Sequence, residues 1–152
     1  MLTTFYPPYH FGGDAVAVRR LSRGLARLGH EVTVVHDVDA FEMLHEGQTP
    51  APVGELDGVR VVPLRSRLGR VGALATHQLG QPTAHRRQLQ ALFAERFDVI
   101  NFHNVSLLGA PGLLGMGDLS AVRLYMAHEH WLVCATHVLW RHGREPCAGR
   151  EC

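Results

Sequence analysis

Residues 1–35 read as strand, loop, helix and strand in close succession, an order that few folds accommodate. Met1 to Phe5 is a short apolar stretch that ends a strand. The loop behind it, Tyr6-Pro7-Pro8-Tyr9-His10-Phe11-Gly12-Gly13, holds two prolines that can neither extend a ladder nor enter a helix interior. Its glycine pair admits positive φ or a close backbone approach. Asp14 is placed to cap a helix in which Val18, Leu21, Leu25 and Leu28 recur at helical spacing, with Arg19, Arg20, Arg23 and Arg27 mainly opposite. Gly29 has the C′ position of that helix, and Val32-Thr33-Val34-Val35 is apolar and β-branched enough for a strand covered on both faces. Such a unit is one βαβ crossover and implies a parallel sheet.

The alternation continues. Residues 37–57 are acidic and carry Pro50, Pro52 and Gly54, which suits a variable connection, and Val59 to Leu64 is a second β-rich run. Residues 66–82 read as an irregular or partly helical crossover. A helix follows from about Thr83, marked by Leu89, Leu92 and Phe93, and Phe97 closes it onto the strand Asp98 to His103. A short helix is expected near Leu107 to Gly115, and a last strand over Val122 to Ala127. The expected fold is α/β, a Rossmann-like parallel sheet flanked by helices over residues 1–127, with a Cys/His-rich tail over 128–152. The ligand crevice of such a sheet lies at the carboxyl ends of its strands, where this sequence places Gly12-Gly13, Asp37, His103-Asn104 and His128-Glu129-His130.

Composition narrows the chemistry. At 152 residues, 46% hydrophobic and 19% charged, the chain can bury a core, which excludes disorder, collagen and a disulfide miniprotein. A net charge of +1 gives no reason to expect nucleic acid as a partner. All 15 basic residues are arginine, which removes phosphate loops ending in Gly-Lys, pyridoxal Schiff bases and lysine general bases together. Acid–base or ligand chemistry then falls to the 11 histidines. No segment reads as a secretory leader or a membrane span, so a cytoplasmic chain is expected and the sequon Asn104-Val105-Ser106 carries no weight.

Taken with the loop and the histidines, the chain resembles the N-terminal, acceptor-side domain of a GT-B glycosyltransferase of the family 4 type. The resemblance rests on Phe5-Tyr6-Pro7-Pro8 with Gly12-Gly13, on Leu25-Ala26-Arg27-Leu28-Gly29-His30-Glu31-Val32-Thr33-Val34, on Asp98-Val99-Ile100-Asn101-Phe102-His103-Asn104, and on His128-Glu129-His130-Trp131. It spans nearly the whole chain. Family members commonly have Asp where this chain has Glu129, which keeps the carboxylate. The resemblance implies a hexosyltransferase-type enzyme that moves a sugar from a nucleotide-sugar donor to a sugar or lipid-linked acceptor with retention of configuration. It requires no cofactor, and it implies a second, nucleotide-binding domain with paired glutamates, so that this chain is expected to be a fragment and inactive alone. Gly12 and Gly13 would let main-chain amides approach the diphosphate. His128 would contact the donor sugar or its phosphate as the catalytic residue, and His103, Asn104 and Glu129 would complete the substrate site. The leaving phosphate itself, rather than a side chain, would act as the base.

Plainer readings stand beside these. Gly12-Gly13 also suits a simple turn into a helix, and His103, at the end of an apolar strand, also suits a hydrogen-bonded structural histidine. The arginine face of the first helix suits solvent, or a peripheral contact with a lipid phosphate or an anionic bilayer. Cys134, Cys147 and Cys152 could hold zinc with an imidazole, although neither gap between them is a standard knuckle spacing; the alternative is plain thiols in a loop. Two other functions compete: a non-catalytic binding module, zinc-bearing or not, and a nicotinamide-dependent oxidoreductase with Asp37 as its ribose-binding acid. The second needs a tight G-x-G-x-x-G turn that this chain lacks.

Overall fold

The structure is a computed structural model that describes residues 1–152 except 53, 135–136, 142 and 148–152. In chain order it contains α1 (Gly13–Arg27), β1 (Thr33–Asp37), α2 (Val38–Leu44), β2 (Glu55–Leu56), β3 (Val59–Leu64), α3 (Gly69–Leu79), α4 (Arg86–Phe93), β4 (Val99–Phe102), a 3-10 turn (Gly112–Gly115), β5 (Val122–Tyr125), β6 (Trp140–Arg141) and β7 (Glu145–Pro146).

Residues 1–4 hold the centre of the sheet. Leu2 bridges in parallel to Val35 of β1 on one side and to Phe102 of β4 on the other. Its amide donates to Asn101 O at 2.8 Å and its carbonyl accepts from His103 N at 2.9 Å, while Thr3 N donates to Val35 O at 3.0 Å. β1 pairs in parallel with β3, β4 pairs in parallel with β5, and β2 adds an antiparallel edge to β3. Across the sheet the parallel order is therefore β3, β1, residues 1–4, β4, β5. Counting residues 1–4 as the first strand, this is the order 3-2-1-4-5 of a Rossmann half, and its switch point lies between residues 1–4 and β4. The fold is the Rossmann-like α/β sheet expected from the sequence.

Side chains alternate across the sheet with the period of a strand. Val34, Val59 and Val61 face the side where Tyr6 and α1 through Val18 are packed. Val35, Leu64, Ile100 and Phe102 face the other, with Leu89 and Leu92 of α4 and with Val105, Leu108 and Leu113. Each fully buried Val, Leu or Phe side chain contributes about 1.5–3 kcal/mol. The loop after β4 is pressed onto the turn before α4, where Gly109 has φ +110° and a Cβ would collide with the Pro82 backbone.

Several local expectations change. α1 begins at Gly13 with Gly12 as its N-cap and no side-chain cap, so Asp14 lies inside the first turn rather than at the cap. Ala15, Val18 and Ser22 are its buried residues, and Leu28 is 76% exposed because it is the C-cap residue, past the last turn that meets the sheet. The end itself is as expected: Gly29 takes φ +90°, its amide bonds to Ala26 O and that of His30 to Leu25 O. The connection 37–57 contains α2 and β2, because Asp37 ends β1 and caps the next helix in one step, accepting from Ala40 N at 3.0 Å. The helix near 107–115 is only the 3-10 turn, and the last strand stops at Tyr125. Beyond it, β6 and β7 form a small antiparallel hairpin.

Candidate functional site

At the switch point the chain brings together residues from three distant segments. Thr4 N donates to Asn104 O at 2.5 Å, which fastens the carboxyl end of the first strand to that of β4. Past Thr4 the chain loops through the aromatic run 5–11 and enters α1. There Gly12 and Gly13 are exposed, and a Cβ on Gly13 would meet nothing within 4 Å. The first-turn amides of a helix carry partial positive charge and lack internal partners. Asp14 takes one of them, accepting from Ala15 N at 2.7 Å, and its other oxygen accepts from Asn104 Nδ2 at 3.2 Å. The glycine bend is thus tied by one side-chain bridge to the end of β4.

The next residue back, His103, is wholly buried and reaches outward through its neighbour: its Nδ1 lies 3.0 Å from Nε2 of the half-buried His128. Burial first, then the charges of His128 and the chain's amino terminus, hold the His103 pKa at about 4, so it is neutral at pH 7. Glu129 turns away to His137, with Oε2 3.3 Å from Nδ1. A second wall of the rim went unread in the sequence. Phe11 stacks on Phe41 at 4.8 Å and meets Phe5 edge-on at 5.2 Å, while Phe41 stacks on His45 at 4.7 Å. Aromatic residues in the loop were its only sequence trace.

A family model described as Glycosyltransferase Family 4 matches residues 11–149. The chain belongs to this glycosyltransferase family. It matches no curated protein and no solved structure.

In this family 4 domain Asp37 has a different task from ribose binding. It is fully buried, caps α2, and stands 3.2 Å from Nε2 of the equally buried His85, with Asp39 Oδ2 at 3.6 Å. Asp39 Oδ2 also accepts from Ser66 N at 2.8 Å, and His85 Nδ1 meets Gln88 Oε1 at 3.1 Å. Burial alone would lower the His85 pKa, but the hydrogen bonds and charges of Asp37, Gln88 and Asp39 outweigh it, and the net shift is upward. This triad is the group whose ligand atoms converge within 4.8 Å, so it is where a metal could be held among the described residues. No such group there includes Cys134, which is buried, or Cys147, which is half-buried; Cys152 lies outside the described residues, as does the histidine at 142.

Two buried histidines make stability depend on acid. His36, stacked on Tyr9 at 5.3 Å, is also held at about 4 by burial. In the unfolded chain each imidazole titrates near its ordinary 6.5. Above that pH neither state takes the proton. Between about 6.5 and 4 the unfolded chain accepts protons that the fold refuses, so stability should fall by about 1.4 kcal/mol per pH unit for each histidine. His85 has the opposite sign, contributing fully below 6.5 and less as pH climbs through its raised value. Urea midpoints at neutral pH and at intervals down the acid range should show the decline, and His36→Phe should make it shallower. A His36→Phe curve parallel to the wild type would refute the assignment.

Proposed function

We propose that this chain is the acceptor-side half of a retaining glycosyltransferase that uses a nucleotide-sugar donor and a sugar or lipid-linked acceptor. The observation that carries the reading is the bridge from Asp14 to Asn104, which sets the uncapped start of α1 beside the His103–His128 pair at the switch point. In this reading the exposed amides of Gly12 and Gly13 receive the departing diphosphate, whose charge grows as the glycosidic bond breaks. The leaving phosphate takes the proton of the attacking acceptor hydroxyl, and no side chain serves as general base. His128 contacts the donor sugar or its phosphate. His103, having no exposed surface, is a positioning residue that fixes the ring of His128, and Asn104 holds the acceptor side through its grip on Asp14. Asp14 brings a carboxylate to the same helix end, but both its oxygens are engaged, by Ala15 N and by Asn104 Nδ2, so the amides of Gly12 and Gly13 are left to the diphosphate. A second, nucleotide-binding domain supplies the remaining contacts, and the enzyme works in the cytoplasm without a cofactor.

Amide chemical shifts test the placement. Titrating the chain with a panel of uridine and guanosine diphosphate hexoses should move the Gly12 and Gly13 amides and the His128 ring, with dissociation constants of about 1 mM or weaker because most contacts lie on the second domain. Shifts confined to other parts of the surface, with these three unmoved at saturation, would overturn it.

A further inference from the structure

The outward face of α3 sets large aliphatic side chains among the exposed Arg70, His77 and Gln78, where a surface helix ordinarily presents polar residues to water. Gly72, Ala73 and Thr76 are its buried residues, against α2 and the turn before α4. Val71 is 70% exposed and Leu74 51%, and Leu68 and Leu79 at the two ends are 63% and 64% exposed. Leu44, at the end of α2, is exposed as well. One side of the helix thus exposes large aliphatic side chains together with polar and cationic ones.

The sequence around α3 carries formal charge of one sign. From residue 65 to residue 94 the sequence contains Arg65, Arg67, Arg70, Arg86 and Arg87 and no aspartate or glutamate. Arg65 reaches back to Glu42 of α2 at 2.9 Å and so neutralises that carboxylate, and the Arg70 guanidinium donates to Met43 O. α2 also carries the buried Asp39, which accepts from Ser66 N at 2.8 Å, and Glu46 just beyond α2 is exposed. α1, where the arginines first suggested a membrane contact, has Arg20, Arg23 and Arg27 exposed but no comparable apolar row, and Arg19 is spent on Asp57 at 2.9 Å.

We propose that α3, flanked by its arginines, is a docking surface for an anionic lipid bilayer. Aliphatic side chains entering the acyl boundary with guanidinium groups at headgroup level is the chemistry of an interfacial helix. A second copy of the chain fits less well, since a twofold contact over this face would bring the arginines of both copies together. Strand register gives the contact a consequence: Leu64 pairs with Asp37, so α3 leaves the sheet at the same carboxyl-end rim that carries the candidate site. The inference does not depend on the transferase reading, because none of its residues belongs to the His128 site, but together they would bring the rim to a surface where a lipid-linked acceptor is embedded.

Sedimentation with large unilamellar vesicles tests the proposal, one set of phosphatidylcholine alone and one with a third of it replaced by phosphatidylglycerol. The chain should bind the anionic vesicles at least about tenfold more strongly than the neutral ones. The double change Val71→Ser with Leu74→Ser should weaken that binding by about tenfold or more, with the melting temperature unchanged because both side chains are exposed. Arg67→Gln with Arg70→Gln should remove most of the preference for anionic lipid. The proposal is overturned if neither vesicle binds, or if the serine variant binds as well as the wild type. Dimerisation abolished by the serine pair, without vesicle binding, would equally overturn it and assign the face to a second copy.

Discussion

Asp37→Ala should destabilise the fold by about 3–5 kcal/mol, the cost of removing one partner from a buried charge pair. Two losses coincide at this carboxylate. The first is the cap on Ala40 N, which by itself is worth about 1 kcal/mol. The second is the charge 3.2 Å from His85, a group with no exposed surface, which would be left with only the more distant Asp39 Oδ2 at 3.6 Å. Because Asp37 ends β1 and opens α2, while His85 opens α4, the pair fastens helices that come from separate crossovers. Asp37→Asn separates the losses, since the amide oxygen can still cap α2 but leaves His85 with no charge from this position. Its cost should be smaller, about 1–3 kcal/mol, and the His85 ring should titrate at lower pH than in the wild type. Urea unfolding gives the first quantity and imidazole NMR the second. If Asp37→Ala unfolds within about 0.5 kcal/mol of the wild type, the range ordinary for surface changes, the pair is not a fastening of the fold. A melting temperature lowered by a chelator would instead show that a metal ion joins this triad.

The sequence made the first crossover legible because each boundary has a local cause: the proline pair stops the strand, Gly29 stops the helix, and the β-branched run 32–35 cannot be mistaken for a surface strand. The parallel sheet and the gathering of Gly12-Gly13, His103 and His128 at its rim followed from that order. What stayed hidden depended on pairing at a distance. Residues 1–4 look like the frayed end of a strand, yet they are the centre of the sheet, since hydrogen bonds to both neighbours let a very short segment fill that place. α2 was missed because Asp37 serves two elements at once, leaving no turn residues between strand and helix to announce it. The same residue served as the ribose-binding acid of the competing oxidoreductase reading, because a carboxylate after the second strand is a functional position in other Rossmann folds; its packing against His85 shows that it faces inward. Leu28 fitted the helical spacing but falls one residue past the helix, where spacing no longer says which way a side chain points.

His128→Ala should lower turnover by about 10²–10³-fold, the loss typical when one preorganised contact to developing charge is removed, when measured on the chain joined to a nucleotide-binding domain of its family. The stability of the fold should hardly change, because His128 is half-buried and caps no element, whereas His103 behind it is wholly buried. That difference separates the roles of the two rings. With His103 neutral, one hydrogen bond between its Nδ1 and Nε2 of His128 fixes the orientation of the outer ring, and Nδ1 of His128 is left for the ligand. His103→Gln can still hydrogen-bond outward from the same depth, so it should lower kcat by less than His128→Ala and leave the donor KM nearly as it was. A merely structural pair would behave otherwise: both variants would lose stability, and turnover per folded molecule would survive. Should His128→Ala retain more than about half of the wild-type kcat, short of even a single lost contact to the transition state, the catalytic reading of the switch-point histidines would have to be abandoned, while the family membership and the sheet order would stand.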